Sequence, residues 1–344
     1  MPSLIKVAKL KNLVDKPTEE RKMHRWSIPT LGGVVIFGAI VFSYSLWFPK
    51  GYDHIPGMLI NFKFLLASLI VLFFIGVKDD IIGTAPLKKL IGHIIVGFIL
   101  VVMADIRIES IHGVFGINEP LDLWQSYLLS IFVYIVVINA INLIDGLDGL
   151  AALVSLISSL IFGVLFFSSG NIPLSLLAVV LSGTMLGFTV FNFSPARVFM
   201  GDAGSLSIGA IFCVLVINCI NEDYALSSEW IKQLNKPVLT MSIMAYPLMD
   251  TLRVFILRVF RGISPFKADK NHIHHYFERT GIGHAKTSLI TFVFCLFVVC
   301  CQVVFQTQLN VVNPTLILIL QILLASILML VIYLLVKKTS NRIK

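Results

Sequence analysis

Asn139-Ala-Ile-Asn-Leu-Ile-Asp-Gly-Leu-Asp-Gly-Leu150 is the stretch whose reading decides the fold. It closes an apolar run that begins near Leu123 and opens another that continues to Phe167, so two amides and two carboxylates sit where one membrane helix meets the next. A carboxylate at the centre of a spanning helix costs ~2.5 to 3.5 kcal/mol on insertion scales, so acidic residues retained beside a span point to chemistry. The plain alternative is an Asp- and Gly-rich capping turn.

The rest of the composition agrees with the membrane reading. With 344 residues, 57% of them hydrophobic and only 13% charged, and a mean hydropathy of +0.91, the chain has too little polar surface to coat a soluble globule. An all-α polytopic bundle is expected, as a single domain over residues 1–344, because no Ser-, Pro- or Gln-rich linker interrupts the alternation of apolar runs and short polar joints. About ten spans are expected: Leu31 to Phe48, Phe62 to Val77, Leu87 to Ala104, Leu123 to Ile141, Leu150 to Phe167, Ile172 to Phe191, Ser205 to Ile220, Val238 to Leu257, Ser288 to Phe305 and Pro314 to Val336. The opening apolar stretch is too short and too broken by lysines for a signal peptide. Cys213, Cys219, Cys295, Cys300 and Cys301 lack a metal-ligand spacing and read as small core residues.

Net charge is +8. In a membrane chain this excess is a topology signal, and no nucleic-acid partner is expected. The N-terminal arm (1–30), the joints at 78–89, 142–149, 193–204 and 253–286 (with its basic loop at 258–286), and the tail (337–344) hold 22 of the 27 Lys and Arg. The opposite side has Lys50, Lys63, Arg107, Lys232 and Lys236. By the positive-inside rule both termini and every polar motif below are cytoplasmic. On the other face, Ile106 to Leu121 alternates apolar and polar residues with glycines, the pattern of a small hairpin.

Four joints carry the polar motifs. Adjacent Asp79 and Asp80 repel, which raises the pKa of one or draws a cation to the pair; an acidic helix cap is the bland alternative. Asn139, Asn142, Asp145 and Asp148 recur every third residue, each offset by about 60° on a straight helix, so they converge only if the backbone loosens, as Gly146 and Gly149 allow. In Asn192 to Ser205, Pro195 interrupts a helix, Arg197 offers a cation, and Asp202 follows a glycine at the start of the next span. That placement suits a metal bridging to phosphate oxygens, or an ordinary N-cap. His272, His274 and His275 lie in a loop with Arg261, Lys267, Lys270 and Arg279. Its cations favour phosphate over zinc, or contact with anionic lipid. Hard oxygen ligands favour Mg²⁺ or Mn²⁺, and a divalent ion with cations matches a pyrophosphate.

In order and spacing, Asp15-Lys16-Pro17 with Arg21-Lys22-Met23-His24, Pro29 to Gly33, Asp79-Asp80, Asn139 to Leu150, Phe199 to Ser205 and Ser264 to His275 resemble the polyprenyl-phosphate N-acetylhexosamine-1-phosphate transferases, a family related to the muramyl-pentapeptide transferase MraY. The His-Ile-His-His form looks like the WecA and TagO branch, although Thr30 and Ser27 stand where that branch often has arginine and proline, and Met1 begins almost on the Asp15-Lys16-Pro17 region, before which family members usually carry a further span. The resemblance implies a bacterial inner-membrane enzyme with short cytoplasmic catalytic loops. It would transfer a sugar 1-phosphate, expected to be GlcNAc 1-phosphate, from a UDP-sugar to undecaprenyl phosphate, release UMP and start a cell-envelope glycan. It implies Asp202 and Asn142 as Mg²⁺ ligands, and Asp79 and Asp80 as the groups that activate the lipid phosphate. Asp145 and Asp148 would line the nucleotide-sugar pocket, Asn192 and Phe199 would meet the uracil, and His272, His274 and His275 would face the pyrophosphate. Asn139 and Arg197 complete the expected substrate contacts, and membrane lipids and a homodimeric partner are the remaining expected associations. An in-line displacement is expected, with an aspartyl-phosphate route as the alternative. Another UDP-N-acetylhexosamine or UDP-MurNAc-pentapeptide is the alternative donor. A transporter or lipid flippase is the alternative class, but it favours charges near span centres rather than at cytoplasmic ends. The CDP-alcohol phosphotransferases also use an Asp-Gly motif, but the Ala-Arg that follows their first Asp-Gly is missing here.

Overall fold

The computed structural model describes the chain except for residues 12, 16–27, 52–57, 225–226, 263–272, 274–281, 309–312 and 344, and except for the side chains at 15, 58–60, 86 and 335–343. Among the described residues the helices are α1 (Pro2–Leu10), α2 (Gly32–Leu46), α3 (Met58–Ile82), α4 (Pro86–Phe98), α5 (Leu123–Leu143), α6 (Leu150–Ser169) and α7 (Ile172–Asn192). They continue with α8 (Gly201–Asn221), α9 (Glu229–Lys232), α10 (Lys236–Ile243), α11 (Ala245–Phe260), α12 (His284–Thr307) and α13 (Pro314–Ile343). A wider π turn extends α4 over Ile99–Met103. Val14–Asp15 pairs antiparallel with Ile28–Pro29.

The bundle is wound around α8. Its apolar window is 94% buried, against 22% for α13, so α8 is the axis and α13 an outer, lipid-facing helix. α2, α3 and α5 pack on α8, and α6 pairs with α7. Exposed Leu128 and Phe132, one turn apart on α5, mark a lipid face, and exposed Trp47, Trp124 and Trp230 all lie on the side opposite the polar motifs. Tryptophans at that level are the usual marker of a membrane–water interface. Cys213, Cys219 and Cys295 are buried as expected; Cys300 is exposed and Cys301 half-buried.

Helices occupy all ten stretches expected to span, and among the described residues six are both long and apolar enough to cross: α5, α6, α7, α8, α12 and the Pro314–Leu334 part of α13. One departure has a plain cause. The stretch Val238 to Leu257 breaks at Met244, where Pro247 cannot donate to the carbonyl of Ile243. The expected hairpin at Ile106 to Leu121 doubles back, with Leu121 N–H donating to Glu109 O at 2.8 Å, yet it forms no strand. Gly113 and Gly116 take positive φ and close a single 3₁₀ turn over Val114–Gly116 instead.

The crossing that positions the site is made by glycine. A Cβ on Gly33 or on Gly76 would collide with the backbone of Ala203 or Gly204 in the first turn of α8. Only hydrogen at these positions lets α2 and α3 come that close. Gly76→Val is therefore expected to lower stability by about 1–3 kcal/mol through overpacking, whereas Gly38→Ala, with open space around it, should be neutral or slightly stabilising. Thermal unfolding in detergent checks this; equal midpoints for the two variants would contradict the crossing.

Candidate active site

Three of the polar joints, 78–89, 142–149 and 193–204, meet at the first turn of α8. The start of a helix leaves its first N–H groups without partners, and here Asp80, at the end of α3, accepts from Asp202 N–H at 2.8 Å and Ala203 N–H at 3.1 Å. Gly201, at φ +70°, would bring a Cβ to 2.7 Å from an Asp80 oxygen, so glycine is required for the carboxylate to seat. With its backbone held this way, the Asp202 side chain faces across the junction. Lys89, in the first turn of α4, sits 2.5 Å from Asp202 Oδ2 and 2.7 Å from Asp79 Oδ2. Asn142 Nδ2, at the end of α5, donates to Asp202 Oδ1 at 3.2 Å and to Ser205 Oγ at 2.8 Å.

The backbone loosens between α5 and α6, as the spacing of the polar residues requires. α5 caps at Ile144, and of the two glycines it is Gly149 that takes positive φ, at +77°. The break turns Asp145 and Asp148 to different partners. Burial, then the charges of Asp202 and Asp80, raise the Asp145 pKa well above the ordinary carboxylate range, against a hydrogen bond from Gly201 N–H. For Asp148, burial would raise the pKa, but the His284 side chain and Ala196 N–H outweigh it and hold it below the usual value. Asp148 Oδ1 lies 3.2 Å from His284 Nδ1, Oδ2 accepts from Ala196 N–H at 3.1 Å, and Ser288 donates to its main-chain carbonyl at 2.8 Å. Asp148 thereby pins the first turn of α12 to the joint.

The remaining expected residues are placed as follows. Asn192 is buried; it accepts from Gly149 N–H and donates to Val198 O, both at 2.9 Å. Phe199 bridges two segments through its backbone, donating to Pro29 O at 2.8 Å and accepting from Gly32 N–H at 3.0 Å. Asn139 donates back to Ile135 O, one turn earlier on its own helix, at 2.7 Å. Arg197 is exposed; it donates to Val190 O at 3.0 Å and lies 4.8 Å from the Phe191 ring centre, capping the end of α7. His272, His274 and His275 lie outside the described residues.

Sequence reasoning missed Lys89, Ser205 and His284. Lys89 entered only as one of the charges that set topology; the available signal was its place in the first turn after Pro86, so close to the Asp pair. Ser205 stands three residues after Asp202 and so shares its helix face. His284 carried no local signal.

Lys89 places its ammonium between Asp79 and Asp202, and the charge of Asp202 also acts on Asp80 and Asp145. No three His, Cys, Asp or Glu side chains among the described residues form a ready metal cage. The donor chemistry nevertheless fits Mg²⁺: carboxylate oxygens of Asp79 and Asp202 already share a cation, and turning over the Asn142 amide adds a carbonyl oxygen. Mg²⁺ is commonly held by one or two carboxylates, with phosphate oxygens and water completing its shell.

The sequence profile described as glycosyl transferase family 4 matches residues 62–220, which span α3 through α8. An undecaprenyl-phosphate alpha-N-acetylglucosaminyl 1-phosphate transferase of Yersinia pestis is 30% identical over 282 residues, covering 80% of this chain and 72% of that protein. The protein of the same description from Escherichia coli K12 is 28% identical over 281 residues, with the same coverage. A decaprenyl-phosphate N-acetylglucosaminephosphotransferase of Mycobacterium tuberculosis is 29% identical over 290 residues, 79% of this chain and 71% of that protein. The matched profile encloses Asp79, Asp80, Lys89, Asn142, Asp145 and Asp202, the residues that the fold gathers at one junction, and with the similarity over four-fifths of its length this chain belongs to glycosyl transferase family 4.

Proposed function

We propose that this protein transfers N-acetylglucosamine 1-phosphate from UDP-GlcNAc to undecaprenyl phosphate in a bacterial plasma membrane, releasing UMP. The observation that carries the reading is the ammonium of Lys89 held between Asp79 and Asp202 with Asn142 on the other Asp202 oxygen. It is an oxygen-rich, cation-seeking site at the end of the spans, where a lipid phosphate and a soluble nucleotide can meet. The activities for which the relatives are named, transfer of N-acetylglucosamine phosphate to a polyprenyl phosphate, support the sugar and the lipid acceptor. The concentration of 22 of 27 Lys and Arg on the side that holds the site supports a cytoplasmic active site and termini.

In the reaction, an oxygen of the lipid phosphate forms a bond to the sugar-bearing phosphorus. The bond from that phosphorus to the bridging oxygen breaks, and UMP leaves with that oxygen. Asp80 has both oxygens engaged by α8 backbone N–H groups, which favours Asp79 as the carboxylate that keeps the lipid phosphate deprotonated. This is a modest demand, since the second pKa of a phosphate monoester is about 6. Lys89 then balances charge between the lipid phosphate and Asp202. When bound by Asp202 and Asn142, Mg²⁺, with Mn²⁺ as the alternative, would neutralise the pyrophosphate oxygens. Positioning and preset electrostatics supply most of the acceleration.

Purified protein should release UMP from UDP-GlcNAc only when polyprenyl phosphate is present, and EDTA should abolish release until Mg²⁺ is restored; absence of UMP under these conditions would turn the assignment toward transport. Asp202→Asn is expected to lower turnover at least ~100-fold, the scale of losing one electrostatic contributor, while the protein still inserts and elutes as the wild type does. The two acidic neighbours should separate: Asp80→Ala lowers the thermal midpoint together with activity, whereas Asp79→Ala lowers activity with the midpoint preserved. Identical stability losses in both would remove the division of roles.

A further inference from the structure

His284 is a histidine at the site end of the bundle that the proposed reaction does not use. It stands at the first position of α12, and its Nδ1 lies 3.2 Å from Asp148 Oδ1. Three further contacts fix the Asp148 end of this pair. Oδ2 of the same carboxylate accepts from Ala196 N–H at 3.1 Å, Ser194 supplies a side-chain hydrogen bond, and Ser288, one turn along α12, donates to the Asp148 main-chain carbonyl at 2.8 Å. With both of its oxygens engaged by protein, Asp148 has little left to offer a substrate. What it presents instead is an oriented imidazole.

The His284 side chain keeps 22% of its surface accessible, whereas its Nδ1 is buried. The accessible part is therefore the rest of the ring, which carries Nε2. In an imidazolium both nitrogens are donors, so with Nδ1 turned to Asp148 the other can donate to an anion. A carboxylate behind the ring and a phosphate in front of it match its charge on both sides. The exposed ammonium of Lys286, two residues on, adds positive charge at the same rim. Asp148 is three residues from Asp145, which lies within reach of the charges of Asp202 and Asp80. Three residues of fully extended chain span at most ~11 Å, so one nucleoside diphosphate can run from the Asp202 carboxylate to the dyad. A cation held by an engaged carboxylate, placed beside the reacting centre rather than on it, suits the oxygen that gains charge when the leaving group departs.

We propose that His284, oriented by Asp148, binds the uridine-side phosphate of the UDP-sugar through Nε2 and stabilises UMP as it leaves. No proton transfer is needed: the bond from the sugar-bearing phosphorus to the bridging oxygen breaks as above, and His284 meets the charge that gathers on UMP. The proposal rests on the transferase reading for the identity of the phosphate and on the dyad for the residue. Asn and Gln separate the two ring nitrogens, because an Asn amide reaches the place of Nδ1 and a Gln amide that of Nε2. In the full-length protein in lipid nanodiscs, His284→Asn keeps a donor for Asp148 and loses the outward one. It is expected to weaken UMP binding, read by calorimetry, about 10-fold or more, the scale of one charge-assisted hydrogen bond. Uridine, which lacks the phosphate, should bind as it does to wild type, and the thermal midpoint should stay within a few degrees. In UMP-release assays kcat/KM for UDP-GlcNAc should fall at least as far, with KM for polyprenyl phosphate unchanged. His284→Gln should bind UMP more tightly than the Asn variant while unfolding at a lower temperature. Wild-type UMP affinity in the Asn variant overturns the proposal, and so does a loss of uridine binding equal to that of UMP, the mark of a structural pin. If the Asn variant does not fold, loss of UMP binding by a folded Gln variant overturns it instead. A wild-type protein that binds UMP but does not release it from UDP-GlcNAc strikes the assigned reaction and leaves His284 to the binding comparison; one that does not bind UMP overturns both.

Discussion

Asp80 reaches from the end of α3 and accepts the two N–H groups that open α8, at 2.8 and 3.1 Å. A helix start at the boundary of a membrane bundle has no abundant water to satisfy those donors, and each one left bare would cost on the order of 1–3 kcal/mol. A carboxylate also complements the positive end of the helix. The bond is available only because Gly33 and Gly76 let α2 and α3 meet α8 backbone to backbone, and because Gly201 leaves room for the carboxylate itself. Folding and site assembly therefore share one contact. Once α8 is capped from outside, its own first-turn acid, Asp202, is released from capping and turned toward Lys89 and Asn142.

The position of the charges along the spans separates the two classes of function that the composition allows. A transporter moving protons or cations through the bilayer needs ionisable groups along its path, and each costs most at mid-membrane. Here Asp79, Asp80, Lys89, Asp145 and Asp202 come from helix ends on one side, and α8, the axis of the bundle, is apolar for most of its length and almost wholly buried. An apolar axis with a charged rim suits chemistry at the surface of the bilayer, where one substrate is anchored in lipid and the other arrives from water.

Much of this was legible in the chain, and the omissions have physical causes. Apolar runs located the long helices of the bundle because hydropathy is the dominant local signal. The Asp and Asn motifs were found because polar groups beside spans are conspicuous. Lys89 was not, because in a positively charged membrane protein one more lysine looks like topology, and its meaning depends on α4 folding back beside α3. Asn139 looked equivalent to Asn142 by spacing, yet the helix remains intact there and the amide returns to Ile135; only past Ile144 does the backbone change direction. The break at Met244 was readable from Pro247, and was obscured by the apolar run around it.

The same reasoning changes the meaning of the joint from Asn139 to Leu150. Asp145 and Asp148, three residues apart, serve opposite sides: Asp145 lies within reach of the charges of Asp202 on α8 and Asp80 on α3, and Asp148 fastens α12 through His284 and Ser288. Asn192 then ties Gly149 to the end of α7. A short loop whose polar groups are engaged by three other helices cannot relax independently of them. Electrostatic catalysis depends on charges that are already oriented before the transition state forms, so that no reorganisation is needed at that moment. The density of polar residues in this joint is thus accounted for by two roles acting together: some supply the field at the site, and the others keep the backbone that carries them from moving in response to it.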